Sequence, residues 1–153
     1  MSTNTEHKSY VRDKRSPLPK NENTSRVMSA NRSKDTGPEI LLRKELWKNN
    51  IKGYRLHKRV GSTKPDIVFN QKRLIIFLNG CFWHDCPYCK LARPKNNSEF
   101  WNKKFERNKE RDKSKRSELR RLGWKVLTVW ECSLEKDTAT QVRRIQRHLL
   151  LQC

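Results

Sequence analysis

The stretch GCFWHDCPYCK, residues 80–90, combines cysteines, one histidine and an adjacent phenylalanine and tryptophan. Thiolates bind zinc, and the thiols here belong to Cys81, Cys86 and Cys89. The imidazole of His84 could accept a proton from an attacking water molecule. The rings of Phe82 and Trp83 could stack on DNA bases or wedge between them. These residue types therefore suit a metal site, a catalytic centre or a DNA wedge.

A tetrahedral zinc site needs a fourth ligand, which a single loop of this length supplies only with difficulty. Cys132, directly after the β-rich segment WKVLTVW, is the natural fourth donor. Four thiolates close the coordination sphere, so we expect a structural zinc ion rather than a catalytic one. The alternative is a set of reduced core cysteines, because the cysteine count is odd and no export signal is visible. Cys153 is left over and is expected to be inert.

A second candidate site lies in two extended runs that a polar turn joins. The runs are residues 65–69 and 73–78. In an antiparallel hairpin, positions whose numbers sum to about 144 would face each other, which brings Asp66 beside Leu78 and Asn79. A carboxylate next to a loop backbone is a workable Mg²⁺ site, with His84 as the base. The alternative is that Pro-Asp forms an ordinary turn and that the histidine only supports the zinc loop.

The charge of the chain points to its partner. Lys and Arg number 36 against 16 Asp and Glu, a formal net charge of +20, which favours a polyanion. No apolar run approaches the length of a membrane span and no signal-peptide core follows Met1, so nucleic acid is preferred over lipid and the cytoplasm over export. Residues 1–27 lack an apolar period and are expected to form a flexible basic arm, with its basic character continuing to residue 34.

The rest of the chain, residues 28–153, is expected to form a single domain. Thr36 and Glu39 match a capping box for a helix over residues 37–49, and this structural role makes Glu39 a weaker catalytic candidate. A strand, a basic helix, a buried strand and a closing helix are expected farther on: GYRLHKRV (53–60), Ser98 to Gly123, WKVLTVW (124–130) and the segment with Val142, Ile145 and Leu149. The order is helix, hairpin, helix, strand, helix.

The aromatic residues of the loop leave two interpretations open. Adjacent large rings cannot both enter one small core, so at least one of Phe82 and Trp83 is expected to be exposed, near Trp101 at the start of the basic helix. In a chain this basic, exposed rings favour stacking on bases. Alternatively, Phe82 and Trp101 pack the zinc loop onto the fold.

A series of motifs carries a family resemblance: RSKDTGPE, KPDIVF, IIFLNGCFWH, EFWNKKFERNKERD and LGWKVLTVWEC. On these residues, from about Met28 to the final helix, the chain resembles the very short patch repair (Vsr) endonucleases. The resemblance implies an α/β fold with a restriction-endonuclease-like core of the PD-(D/E)XK type, a mixed sheet flanked by helices and a structural zinc loop. It also implies a Mg²⁺-dependent DNA endonuclease that nicks one strand 5′ of the thymine in a T·G mismatch, where 5-methylcytosine has been deaminated.

The resemblance also assigns roles to residues. Asp66 would bind Mg²⁺ together with the backbone carbonyl of Leu78, His84 would be the general base, and Glu39 would support them. Zinc would be held by Cys81, Cys86, Cys89 and Cys132. The DNA contacts would come from an aromatic wedge of Phe82, Trp83 and Trp101 and from Met28, Lys104 and Asn108. Mismatched double-stranded DNA is the expected partner, mismatch-repair proteins are candidate further partners, and a cytoplasmic, nucleoid-associated monomer is expected.

Two departures from the family pattern bear on the mechanism. Asn79 stands where the best-known member has a second histidine, which removes one candidate proton donor for the leaving oxygen. The zinc set is all cysteine, where that member uses a histidine. Two other functions stay open at this point: a zinc-stabilised DNA-binding module without activity, and a restriction-like nuclease of a defence or mobile-element system.

Overall fold

The computed structural model describes residue 18 and residues 21–151 of the chain. It separates into two units, residues 1–33 and residues 34–153. Among the residues described, there is no helix with both the length and the apolar character needed to cross a membrane.

The first unit contains one described helix, α1 (Glu22–Ser29). The side chain of Asn21 caps it by accepting a hydrogen bond from the backbone N–H of Thr24 at 2.8 Å. The helix occupies a stretch in which the sequence showed no apolar period. Most of the arm predicted over residues 1–27 lies outside the described residues, and the arm stays a prediction.

The second unit is built around one sheet. Its elements in chain order are α2 (Gly37–Lys48), β1 (Arg55–Leu56), β2 (Ile67–Phe69), β3 (Leu74–Asn79), α3 (Ser98–Arg121), β4 (Lys125–Trp130), α4 (Glu131–Lys136) and α5 (Thr138–Leu150). The strands lie in the order β1-β2-β3-β4. The first three pair antiparallel, whereas β3 and β4 pair parallel. The predicted mixed sheet with flanking helices is therefore confirmed.

Helices cover both faces of this sheet. Successive residues of a strand point to opposite faces, so Leu74 and Ile76 of β3 enter one core and Ile75 the other. The first core includes residues of α2, α4 and α5, and the second includes Leu119 of α3. Each of these fully buried aliphatic side chains contributes about 1.5–3 kcal/mol through its removal from water. Packing on both faces holds the sheet in place, and the candidate carboxylate lies where β2 begins.

The hairpin of β2 and β3 positions that carboxylate. It is antiparallel, as predicted, with Ile67 opposite Ile76 and Phe69 opposite Leu74. This register is one residue out of step with the predicted one. The error leaves the prediction about Asp66 intact, because an aspartate side chain is long enough to reach the neighbouring backbone position.

Two local predictions near the site are wrong. The strand predicted over residues 53–60 is reduced to β1, because His57 has a φ of 49° and this left-handed conformation ends the extended backbone. Thr36 and Glu39 do not form a capping box. The Thr36 hydroxyl instead donates to Oε1 of Glu39 at 3.1 Å and makes no hydrogen bond to the helix backbone.

The segment after α3 also differs in detail. β4 alternates buried Leu127 and Val129 with partly exposed residues, so it is half-buried rather than buried throughout. The short helix α4 was not predicted, and it begins directly at the end of β4. Its second residue is Cys132, which places this thiol at the end of the strand where the zinc prediction requires it.

Candidate active site and zinc loop

Asp66 lies directly before β2, with β1 on one side and β3 on the other in the strand order. Its Oδ2 accepts a hydrogen bond from the backbone N–H of Leu78 at 2.7 Å. Burial raises the pKa of Asp66 to about 6, although this hydrogen bond acts in the opposite direction. Among the described residues nothing donates to Oδ1, which is therefore available to a cation. The structure brings Asp66 and Leu78 together as predicted.

Glu39 approaches from the first turn of α2 and is only 7% exposed. Its Oε2 accepts a hydrogen bond from the backbone N–H of Asp35 at 3.1 Å, in addition to the contact with Thr36. Its negative charge raises the pKa of Asp66 further, so the two carboxylates repel each other. A divalent cation bound at Asp66 would relieve this repulsion.

His57 is a residue of this site that sequence reasoning missed. Its backbone N–H donates to the carbonyl of Asp66 at 3.2 Å, which continues the pairing of β1 and β2 by one residue. Its Nε2 lies 3.5 Å from Oε2 of Glu39 and is buried without a hydrogen-bond partner among the described residues. Residue 57 reaches residue 66 only through the pairing of β1 with β2, and no sequence motif predicts this contact.

His84 lies in the loop over residues 80–90 that carries three of the predicted zinc ligands (the zinc loop), and its charge also acts on the pKa of Asp66. Its Nδ1 lies 2.5 Å from Oδ2 of Asp112, on α3. Burial would raise the pKa of Asp112, but the hydrogen bond with His84 and nearby cations outweigh burial and lower it. A charged Asp112 accepts a hydrogen bond from Nδ1–H, which leaves Nε2 of His84 as the nitrogen that can take a proton. Asp112 was not singled out from the sequence, where it is one acid in a strongly basic helix.

Asn79, the departure from the family pattern, is the last residue of β3 and is 6% exposed. It lines a cavity of about 500 Å³ together with His84. A buried amide can donate and accept hydrogen bonds but does not exchange a proton near neutral pH. Asn79 can therefore orient a group in the cavity without acting as an acid or base.

The four predicted zinc ligands are brought together. The sulfur atoms of Cys81, Cys86, Cys89 and Cys132 all lie within 4.8 Å of one another. Those of Cys86 and Cys132 are 3.7 Å apart. In a tetrahedral site with Zn–S bonds of about 2.3 Å, the sulfur atoms are about 3.8 Å apart. The cluster therefore fits a four-coordinate zinc ion, and all four thiols are free of disulfides.

Backbone N–H groups surround this cluster. Cys132 N–H donates to Sγ of Cys81 at 3.3 Å, and Tyr88 N–H donates to Sγ of Cys86 at 3.4 Å. Burial raises the pKa of the Cys81 thiol. Burial acts in the same direction on Cys86, but backbone N–H groups outweigh it and lower the Cys86 pKa. The pKa of Cys86 is thus lowered while that of Cys81 is raised, and a bound zinc ion would displace protons from thiols that are still protonated.

The aromatic residues of the loop pack against those of α3 in one cluster. Phe82 lies at its centre, with ring centroids 5.1 Å from Trp83, 5.5 Å from Trp101 and 5.6 Å from Phe105. Trp101 is 8% exposed, whereas Phe82 and Trp83 are both half-buried. The expectation that one of the adjacent rings would be exposed is therefore wrong. Both rings find partners because α3 presents Trp101 and Phe105 on the same side of the helix.

Two of the remaining predicted DNA contacts, Lys104 and Asn108, lie beside this cluster. Nζ of Lys104 is 5.1 Å from the centroid of the Trp83 ring and 5.2 Å from that of Trp101, close enough for cation–π attraction. The side-chain amide of Asn108 donates to the carbonyl of Trp83 at 2.8 Å. Asn108 thus positions the tryptophan backbone. Met28 belongs to α1, and its side chain lies outside the described part of the chain.

Comparison with known proteins agrees with this geometry. A sequence profile described as DNA mismatch endonuclease Vsr matches residues 18–90. The type II nicking enzyme V.NaeI of Lentzea aerocolonigenes is 41% identical over 140 residues, which cover 87% of this chain and 82% of that protein. The DNA mismatch endonuclease Vsr of Escherichia coli (strain K12) is 39% identical over 111 residues, 72% of this chain and 70% of that protein.

A solved structure shares the fold. The catalytic domain of homing endonuclease I-Bth0305I superposes with a TM-score of 0.53 at 24% identity, covering 77% of this chain and 98% of that domain. This likeness supports the restriction-endonuclease-like architecture and carries no further argument. The similarity to the mismatch endonuclease and to the nicking enzyme extends over most of each chain. The chain therefore belongs to the Vsr family of DNA mismatch endonucleases and is a DNA endonuclease of the Vsr type.

Proposed function

We propose that the protein uses Mg²⁺ to nick one strand of duplex DNA immediately 5′ of the thymine in a T·G mismatch. The observation that carries the proposal is the hydrogen-bonded pair of Asp66 and Leu78, with the charges of Glu39, His57 and His84 acting on the carboxylate. Such a group of carboxylates and imidazoles at one sheet edge suits phosphodiester hydrolysis. The names of the relatives, a mismatch endonuclease and a nicking enzyme, favour a single-strand cut at a mismatch.

The residues present fit a hard cation. Asp66 offers a free carboxylate oxygen beside the backbone of Leu78, and Mg²⁺ prefers oxygen ligands of this kind. When bound, the ion would stabilise negative charge on the reacting phosphate. Glu39 would hold water or the cation at the buried side of the site.

The protein side of the reaction rests on His84. Its Nε2 would take the proton of the attacking water, while Asp112 holds Nδ1 and stabilises the imidazolium that forms. The arrangement is that of a base oriented by a carboxylate. Because Asn79 cannot supply a proton, the leaving oxygen would take its proton from water.

Replacing His84 by alanine is expected to lower the single-turnover nicking rate by about 10² to 10⁴-fold, since one general base contributes about that much. Asp112→Asn should lower it less, because the imidazole stays in place. The double variant should be no slower than His84→Ala alone, which distinguishes an orienting role from a structural one. His148→Ala, a change to a half-buried histidine of α5, serves as the matched control and should leave the rate near that of the wild type. Additive losses in the double variant would contradict the assignment.

We further propose that Phe82, Trp83 and Trp101 act as the wedge beside the mismatch. Further contacts to the DNA around the mismatch would come from Met28, Lys104 and Asn108. The support is the cluster on α3, in which half-buried Trp83 and Lys104 lie together. Because Trp101 is nearly buried, its share would be to hold the other two rings.

Trp83→Ala is therefore expected to weaken binding of a T·G duplex by about 5- to 150-fold, the equivalent of one stacked base at about 1–3 kcal/mol. Binding of the matched duplex should change much less, because its bases stay stacked. The control is Trp47→Ala, which removes a 64% exposed tryptophan from α2. Equal losses on mismatched and matched duplexes in a fluorescence anisotropy titration would contradict the wedge.

The zinc loop would hold these groups in place. A zinc ion on the four cysteines would join the loop to α4, because three ligands precede α3 and Cys132 follows β4. We also propose that the protein acts as a monomer in the cytoplasm on nucleoid DNA, with mismatch-repair proteins as further candidate partners.

The test of this function is a comparison of duplexes that differ at one base pair. Single-turnover nicking of T·G, T·A and C·G duplexes is measured with Mg²⁺ and without added divalent cation. We expect T·G to be cut faster by more than about tenfold, a difference of 1.4 kcal/mol in activation free energy, and only with Mg²⁺. Equal rates on all three duplexes would exclude mismatch specificity, and cutting without the cation would exclude the proposed role of Asp66.

A further inference from the structure

The cavity beside His84 has a second group of residues that the proposed mechanism does not use. It measures about 500 Å³ and lies between the zinc loop and α3, with Asn79 and Trp130 at the ends of β3 and β4. His84 and Asp112 form part of its wall. The cavity therefore adjoins His84, the general base that would take the proton of the attacking water.

Four cations line this cavity, and two of them form ion pairs. Asp85 lies 2.6 Å from Arg93 and 2.7 Å from Lys109, and these contacts lower the pKa of Asp85. The other acidic residue of the cavity, Asp112, is paired with His84. Two basic residues remain.

Lys90 and Arg116 are the two that remain. Neither forms an ion pair with any described residue, so the cavity carries two uncompensated positive charges. Arg116 is partly buried on α3, four residues after Asp112 and on the same side of the helix. Lys90 closes the zinc loop with a φ of 43°, a conformation that glycine or asparagine adopts at lower cost. The backbone alone does not call for lysine at this position.

We propose that Lys90 and Arg116 bind a phosphate of the DNA strand that is being cut, next to the phosphate that reacts at His84. An arginine can bind two phosphate oxygens at once, and a lysine adds a point charge. Phosphates recur along one strand every 3.4 Å or so of helix axis, so a strand that presents one phosphate to His84 brings its neighbour to the same cavity. The contact would fix the position of the strand along its own axis and so determine which phosphodiester bond lies at His84. The inference rests on the proposed role of His84.

The experiment measures binding without cutting, so that its outcome does not depend on the chemistry. A T·G duplex is prepared in versions in which one phosphate at a time, near the expected nick on the cut strand, is replaced by an uncharged methylphosphonate. Dissociation constants are determined without added Mg²⁺ for the wild type, Arg116→Gln and Lys90→Gln. Lys113→Gln, an exposed cation of α3 outside the cavity, is the matched control.

We expect Arg116→Gln to weaken binding of the unmodified duplex about tenfold and to reduce the slope of log Kd against log salt concentration by about 1. At one methylphosphonate position the wild type should lose a similar factor, whereas Arg116→Gln should lose nothing further. Lys90→Gln should show the same insensitivity at that position, and because Lys90 lies on an exposed loop it tests the inference if Arg116→Gln is poorly folded. Lys113→Gln should remain as sensitive as the wild type.

If both cavity variants respond to every methylphosphonate as Lys113→Gln does, the cavity does not hold a backbone phosphate. A wild type that binds all neutralised duplexes equally well would also overturn the inference. Failure of the proposed function has a different signature, because then the wild type does not nick the unmodified T·G duplex in Mg²⁺ at all.

Discussion

Asp66→Asn is expected to abolish nicking and at the same time to stabilise the metal-free fold. The amide oxygen can still accept the hydrogen bond from Leu78, but a neutral amide is a poor ligand for Mg²⁺. In the wild type a buried carboxylate near Glu39 must be charged at neutral pH. A pKa of about 6 in place of 3.8 corresponds to a destabilisation of at most about 3 kcal/mol, which the variant removes.

The sign of the pH dependence follows from the direction of this shift. A raised pKa means that the folded protein binds the proton of Asp66 more tightly than the unfolded chain does. The stability that protonation contributes is present below the unfolded pKa of 3.8 and is lost as the pH rises through about 6. The variant should therefore match the wild type in unfolding free energy near pH 4 and exceed it above pH 6, as measured by urea denaturation. Nicking at fixed Mg²⁺ should fall as the pH drops below about 6.

Glu110→Gln is the matched control for this variant. Glu110 is exposed on α3 and forms no ion pair with a described residue, so the substitution removes the same charge from a place without structural constraint. Its unfolding free energy should stay within about 0.5 kcal/mol of the wild type, and its nicking should persist. If Asp66→Asn unfolds more easily than the wild type at neutral pH, burial does not strain the carboxylate, and if it still nicks, Asp66 is not the metal ligand.

Cys132→Ala should have the second large effect, through the zinc loop. Cys132 is the only one of the four clustered thiols that α4 supplies, so its loss detaches the loop from the sheet. The loop carries His84 and the two wedge residues Phe82 and Trp83, so nicking should be lost. We expect the free energy of unfolding to fall by about 3 kcal/mol or more, as for other structural metal sites.

The measurement is zinc content by atomic emission together with thermal unfolding. Cys153→Ala is the matched control, since this thiol is expected to be inert, and it lies outside the described residues. It should retain one zinc ion per chain and the melting temperature of the wild type. Unchanged zinc content in Cys132→Ala would contradict the four-cysteine site.

Prediction from the sequence succeeded for features that depend on local residue patterns and on residues close together in the chain. The extended runs around a polar turn form the hairpin, so Asp66 meets Leu78 although the register is one residue out of step. The clustering of the four cysteines was predictable because three are close in sequence and the fourth stands at a strand end, and a tetrahedral zinc site needs four ligands.

The partners of the two histidines were not predictable. Asp112 meets His84 only because α3 packs against the zinc loop, and 28 residues separate them. His57 meets Glu39 only because β1 joins the sheet beside β2, although β1 has just two residues. Contacts of this kind depend on how elements pack, and a charged residue in a charged helix carries no local signal for them.

The aromatic prediction failed for a related reason. Adjacent rings cannot share a core that the loop alone provides, but α3 adds Trp101 and Phe105 to the same cluster. Enough apolar surface is then present to hold Phe82 and Trp83 together. In the free protein, the rings of the proposed wedge are therefore packed against one another.

The central claim is that this site cuts one strand at a mismatched thymine, and mapping the cut tests it most directly. A T·G duplex is labelled on each strand in turn, incubated with the wild-type protein and Mg²⁺, and the products are sized at single-nucleotide resolution. The account predicts one product, from the strand with the mismatched thymine, that ends immediately 5′ of that base. Cuts on both strands, or the same cut in a matched T·A duplex, would contradict it.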